Sequence, residues 1–379
     1  MTVKWLYSEE LNTLGHVSAL TLGGRKTLSP QHALSHSDIE AIGATKLKTI
    51  NENIVVNGES LDYSTFQGIG KQATISDSLI NRFKNKTVPG RINLVYIRIP
   101  SEYNLKGSIH PVNKVDDLQT SAIVGAQLEA DASALIPPVP NGIENYKVFE
   151  KILNRTKIEN QTFRKEKNII GLIPKTNDLV MIPKMVKDYV KLGVKVFAID
   201  FSGSYLPQSL IRSTIMSIYD SLKIKTPKVP EEKQYYIHVF NAATCVRTAA
   251  KITSMTDILT HAYGIDSTSG MMWGGGKLER NKLRYFNMED YGAYSIGTMS
   301  SYSIKPNFAI PNAASPAYRL LRAHRIVDYY NECKAGITSS IASGDPKRSY
   351  GTYLSSKKRA TDQVNKILLD IKEIKARLV

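Results

Sequence analysis

Cysteine is nearly absent from this 379-residue chain, with only Cys245 and Cys333. Two thiols so far apart exclude a disulfide framework and a multi-cysteine zinc site. Long apolar runs are missing too. No stretch approaches the roughly 18 apolar residues of a membrane-crossing helix, and the opening MTVKWLYSEELNTLG has acidic and polar residues where a signal peptide needs an apolar core. These two absences predict a cytoplasmic protein that does not enter a membrane. No G-x-G-x-x-G or G-x-x-x-x-G-K-[ST] loop follows a strand-like run, which argues against nicotinamide and nucleoside triphosphate chemistry. No cofactor and no metal are expected. Acidic residues are in deficit: 34 Asp and Glu stand against 50 Lys and Arg, a formal charge of +16. Such an excess favours a polyanionic partner, because each cation near a phosphate releases condensed counterions, and nucleic acid is the natural candidate.

With 42% apolar and 22% charged residues, the chain can bury a sizeable core. From about residue 90, short β-branched runs alternate with helix-like segments. The runs at 91–99, 132–136, 168–173, 194–201, 235–240 and 257–263 read as buried strands. Helices are expected over 117–130, 146–156, 179–192 and 208–222. Repeated strand, helix, strand order implies parallel pairing, since a parallel crossover needs a dozen or more residues. Polar residues follow several different strands, which favours an α/β fold of the (β/α)8 TIM barrel type over an open doubly wound sheet. Residues 1–90 read as the N-terminal part of that barrel with irregular elements, 91–315 as the barrel core with the active site, and 316–379 as basic C-terminal helices. Two helices, 315–334 and 356–379, flank a loop over 336–353. That loop mixes Lys, Arg, Tyr and Ser, as either a phosphate-contacting loop or a solvated one would.

Two carboxylates stand out. Asp266, in THAYGIDSTSG, is expected just after a strand, within reach of a ligand; it equally reads as a helix cap, with Ser267 to Ser269 supplying turn hydrogen bonds. Asp200, in VFAIDFSGS, ends an apolar strand, where desolvation suits proton transfer; it equally reads as a holder of the following turn's amides. Ser202, Gly203, His238, Asn241, Ser267 and Thr268 are candidates to bind a flat heterocyclic substrate, although His238 lies inside its strand, as a core histidine does. Lys277, Arg280, Lys282 and Arg284, with Arg319, Arg322 and Arg325 at threefold spacing, are candidates to hold phosphates.

The segments SAIVGAQLEADASAL, NIIGLIPKTNDLVMIPKMVKDYVKLGVKVFAIDFSGS, YYIHVFNAA and THAYGIDSTSG resemble, in order and spacing, the guanine transglycosylase superfamily. The resemblance covers about residues 115 to 285 and implies a (β/α) barrel that exchanges guanine in DNA or tRNA for a 7-deazaguanine. It places Asp266 as the nucleophile on the sugar's C1, giving a covalent glycosyl intermediate, with Asp200 as the acid and base beside the heterocycle. The chain departs from the family at Ser269, where tRNA-acting members usually have the nucleophilic aspartate; D-S-T-S is more similar to members thought to act on DNA. The D-S-G-G-F motif and the cysteine-rich zinc site are also missing. A non-catalytic nucleic-acid-binding paralogue, as a homodimer or as one subunit of a heteromer, is the alternative that these departures leave open.

Overall fold

The computed structural model describes residues 1–9, 11–42, 53–112, 114–163, 166–176, 178–226, 229–243, 252–270, 284–287, 289–295 and 331–378. The chain starts with an antiparallel sheet of β1 (Thr2–Ser8), β2 (His16–Leu22) and β3 (Arg25–Leu28). Next come β4 (Gln31–Ser35), α1 (His36–Ile42), β5 (Ile54–Ser60), α2 (Tyr63–Gly68), α3 (Ala73–Lys84) and β6 (Ile92–Arg98). A hairpin of β7 (Glu102–Leu105) and β8 (Ser108–Pro111) leads to α4 (Asp117–Glu129), β9 (Ala134–Leu135) and α5 (Tyr146–Thr162). Then follow β10 (Asn168–Ile169), β11 (Gly171–Ile173), α6 (Met181–Lys191), β12 (Val196–Asp200), α7 (Gln208–Ser221) and β13 (Tyr236–Phe240).

Local chemistry accounts for these elements. Asp116 and Gln119 form a reciprocal capping box that starts α4. On α6, Met181, Ile182, Met185, Val186 and Tyr189 recur at helical spacing and are buried as one face. Strand β12 is apolar on both faces up to Asp200 and wholly buried, as expected for a parallel strand covered on both faces.

Seven strands pair in parallel in the order β11, β12, β13, β15 (Ser267–Ser269), β4, β5 and β6. This sheet is strongly curled. Five strand spacings would put β12 and β6 about 24 Å apart if the sheet were flat, yet the Tyr96 hydroxyl of β6 lies 2.7 Å from the Asp200 carboxylate of β12. β10 pairs in parallel with β9 and is separated from β11 by Ile170 alone, whose amide donates to Leu135 O at 2.8 Å. Just before β9, the Ser133 amide donates to Asn93 O of β6 at 2.8 Å.

The expectation of a strand over 257–263 is corrected. Asp257 accepts a hydrogen bond from the Ile258 amide and starts a 3-10 helix, Ile258–Tyr263, which Gly264 ends in the left-handed region at φ 80°. A short apolar run is ambiguous between strand and buried helix, and here the capping aspartate and the glycine decide it. The strand of this unit is β15, which starts after Asp266 rather than ending before it.

A second antiparallel sheet joins β14 (Ile252–Ser254), β17 (Gly292–Ser295) and β16 (Arg284–Asn287). At the C-terminal side, residues 331–342 are helical (α8), a 3-10 turn covers Pro346–Arg348, and α9 (Tyr350–Ser355) and α10 (Thr361–Ala376) follow. The expected loop over 336–353 is therefore largely helical: Asp345 caps the 3-10 turn and Ser349 caps α9. Helix α10 buries Val364, Ile367, Ile371 and Ile374, and its Asp370 receives the Tyr263 hydroxyl at 2.7 Å and Arg212 of α7 at 3.0 Å. Lys366, Lys372 and Arg377 stay exposed. Among the described residues no helix is long and apolar enough to cross a membrane.

Candidate functional site

The C-terminal ends of the parallel strands gather one polar cluster, centred on Asp200, which is fully buried. Its Oδ2 accepts from the Tyr96 hydroxyl at 2.7 Å and from Asn141 Nδ2 at 3.1 Å. Its Oδ1 accepts from the Ser202 amide at 2.7 Å and from Asn241 Nδ2 at 2.8 Å. Arg98 Nε stands 3.8 Å from Oδ2. These donors come from the end of β6, the segment after β9, the turn after β12 and the residue after β13. A buried carboxylate is stable only when such donors replace its water.

The backbone around it is unusual. Ser202 and Asn241 adopt positive φ, 47° and 58°, next to Gly203 at 78°. Non-glycine residues rarely sit there, and they cluster at sites where surrounding structure holds them in place. The two turns are tied together: the Gly203 amide donates to Asn241 O at 2.9 Å and the Ala243 amide to Ser204 O at 3.1 Å. Asn141 Nδ2 also reaches Ser202 Oγ at 3.0 Å, its Oδ1 accepts from the Lys175 amide at 3.1 Å, and Lys175 Nζ donates to Ser204 Oγ at 3.1 Å. Ser202, Gly203 and Ser204 are half-buried and Lys175 is exposed, so a partner meets these groups first.

An aromatic floor lies beneath. The rings of Tyr96 and Phe240 stack at 4.3 Å and 8°, and His238 meets Phe240 edge-on at 4.5 Å. Burial, with His32 nearby, pushes His238 down to about 3, so its imidazole is neutral at physiological pH. His238 Nδ1 pairs with Ser267 Oγ at 2.7 Å, whereas Nε2 has no hydrogen-bond partner. Burial and the Asp200 carboxylate raise the Tyr96 phenol well above its ordinary value, which keeps it a donor.

Asp266 lies elsewhere. It is 1% exposed and precedes β15, level with Ile237 rather than with Phe240. Three residues separate those levels, about 10 Å along a strand, and Phe240 is the register partner of Asp200. Asp266 Oδ2 accepts from the Ile237 amide at 2.8 Å, and Oδ1 accepts from Ser18 Oγ and stands 3.0 Å from His16 Nε2. Ser18 and His16 belong to β2, so the opening antiparallel sheet covers this N-terminal end of the strands. Trp5 stacks on His16 at 3.7 Å. The expectation that Asp266 and Asp200 face one site is thus overturned, because the strand begins after Asp266.

Of the other candidates, Ser202, Gly203 and Asn241 join Asp200. His238 and Ser267 sit lower along the strands, and Thr268, fully buried, approaches His32 Nδ1 at 3.5 Å. Ser269 stands at the outlet end of β15 and donates to Val239 O at 3.2 Å. Arg284 starts β16. Lys277, Arg280, Lys282, Arg319, Arg322 and Arg325 lie outside the described residues. Sequence reasoning missed Tyr96, Arg98 and Asn141. A phenol and a guanidinium within the apolar run RINLVYIRI, and an amide in the turn-forming PNG that follows a strand after a few residues, were the available signals.

No protein-family model matches the chain, and no curated protein matches it significantly. Among the described residues no group of three or more His, Cys, Asp or Glu side chains could hold a metal ion. The cluster can therefore be read from its own chemistry. It offers a carboxylate locked by four donors, partly open hydroxyl and amide groups on two rigid turns, and cationic side chains at the rim. Such a surface suits the polar edge of a flat, hydrogen-bonding ligand that carries negative charge.

Proposed function

We propose that the protein acts on nucleic acid as a base-exchange enzyme of the guanine transglycosylase type, replacing guanine in DNA or tRNA by a 7-deazaguanine at the Asp200 cluster. The fold belonging to this reading is an eight-stranded (β/α) barrel. The Ser133 to Asn93 and Ile170 to Leu135 hydrogen bonds support it, since they would join β6 through β9 to the β10 and β11 segment and close the curl.

One observation carries the functional reading: donors from four separate strand ends converge on one buried carboxylate. In barrels of this class the C-terminal strand ends build the site. Asp200 would hold Ser202, Gly203 and Asn241 in orientation toward the edge of the base, while Arg98 and Lys175 would meet the adjoining phosphate. A base reaches such a site only after leaving its stack, at a cost of a few kcal/mol that phosphate contacts offset. The charge of +16 supports a polyanionic substrate.

A second reading, a binding subunit without catalysis, is favoured by the other end of the molecule. Asp266 is sealed under β2, and Ser269 stands where the family's attacking carboxylate would be. Incubation with labelled guanine and with duplex DNA or tRNA, followed by nucleoside analysis, separates the two. Exchange that disappears in Asp200→Asn and persists in Asp266→Asn supports the enzyme. Binding without exchange supports the subunit, and neither binding nor exchange overturns both.

A further inference from the structure

Away from the Asp200 cluster, the C-terminal layer carries a concavity of about 400 Å³ between α8 and α9. Ser339 and Ser340 line it from α8, Lys347 and Arg348 from the 3-10 turn, and Thr352 and Ser356 from the α9 side. We infer that this groove is a subsite for the phosphodiester backbone of nucleic acid. The inference rests on the proposed nucleic-acid reading and names a place where the polymer is held outside the base site.

The charges of the lining argue for an anion. Lys347 and Arg348 are exposed, and among the described residues neither has an ion-pair partner. Several other cations of this chain are neutralised: Arg212 meets both Asp370 and Glu373, Arg155 meets Glu159, and Lys191 meets Asp188. The one carboxylate of the turn itself, Asp345, accepts from the Lys347 amide at 2.9 Å and caps the turn. The remaining walls offer the hydroxyls of Ser339, Ser340, Thr352 and Ser356, which suit phosphate oxygens, beside the ring of Tyr353. Behind the groove, the Lys357 ammonium lies 4.4 Å from the Tyr353 ring and 4.8 Å from the Tyr291 ring, so a third cation is fixed close by.

The exposure of the groove argues for a polymer. Lys347, Arg348, Thr352 and Ser356 are all exposed, so the ligand is not enclosed, and a chain running across the surface gains contacts that a free phosphate does not.

The test compares wild type with a Lys347→Gln, Arg348→Gln double variant and a Lys347→Glu, Arg348→Glu variant, all checked for an unchanged melting temperature. Affinity for duplex DNA and for tRNA is measured over a range of salt. Loss of two phosphate contacts lowers the slope of log K against log salt by about 2 and weakens binding equally across sequences. That result with either polymer supports the subsite, and the arm that responds identifies the polymer. Wild-type binding with the same slope in both variants overturns the groove and leaves the base-exchange reading standing. Inorganic phosphate competing as well as the polymers, mole for mole of phosphate, also overturns it in favour of a small-ion site. No wild-type binding to either polymer overturns the nucleic-acid reading itself.

Discussion

Tyr96 donates its hydroxyl hydrogen to Asp200 across the inside of the curled sheet, at 2.7 Å, from 104 positions away in the sequence. The same ring stacks on Phe240, so one side chain links three strands. Tyr96→Phe keeps the stack and deletes the donor. A loss of about 1–3 kcal/mol is expected, the cost of an unmet buried hydrogen bond, read from urea unfolding. Unchanged stability would show that Asp200 does not depend on this phenol.

Asp266 and Asp200 should separate by phenotype. Asp266→Ala removes the acceptor of the Ile237 amide and of Ser18 Oγ and leaves His16 facing no carboxylate. The expected cost is about 3–5 kcal/mol, with nucleic-acid affinity unchanged at temperatures where the variant is folded. Asp200→Asn is expected to abolish base exchange. Filter binding and nucleoside analysis beside thermal unfolding distinguish the two, and loss of exchange in a folded Asp266 variant contradicts the assignment.

Three imidazoles make the fold acid-sensitive. Burial lowers His32 and His261 to about 4 and His238 to about 3, from an ordinary histidine value of 6.5. Below 6.5 the unfolded chain takes up protons at these positions while the folded chain does not, so stability falls as pH drops from about 6.5 toward 4. The contribution of His238 continues to fall to about 3. The denaturation midpoint is therefore expected to decline between pH 6.5 and 5, before most carboxylates titrate. A flat midpoint in that window would contradict burial of neutral histidines.

Gly264 ends the 3-10 helix at φ 80°, and a Cβ built there would lie 2.7 Å from Leu14 O. Gly264→Ala meets both the left-handed penalty of roughly 1–2 kcal/mol and that contact. A drop in melting temperature is expected, larger than for Gly24→Ala, whose Cβ meets nothing within 4 Å although its φ is also positive.

Much of the scaffold was legible where local signals agree. The capping box at Asp116 and the apolar stripe of α6 mark their helices within the chain itself, and the apolar run VFAI before Asp200 marks β12. The strand at 54–60 was hidden because IVVNGES ends in polar residues. The misreading of 257–263 moved Asp266 from one end of the sheet to the other, since a strand assigned one element early reverses which end the next residue occupies. Asp200, Ser202, Gly203 and Asn241 were accessible as polar residues after strands. Tyr96 and Asn141 were not, because their partners lie 104 and 59 positions away, and only the curl of the sheet brings them together.

The opening strands carry a further consequence, for synthesis. Trp5 bonds Gln234 and Tyr235, Ser18 bonds Asp266, Asn12 approaches Ser349, and Lys375 reaches Leu11 O. Residues 5–18 are translated before these partners and must wait, with an aromatic surface uncovered, for segments more than 200 positions later. Closure of that end is thus a late, non-local event, and a holding chaperone would find its target in the uncovered segment from Trp5 to Ser18.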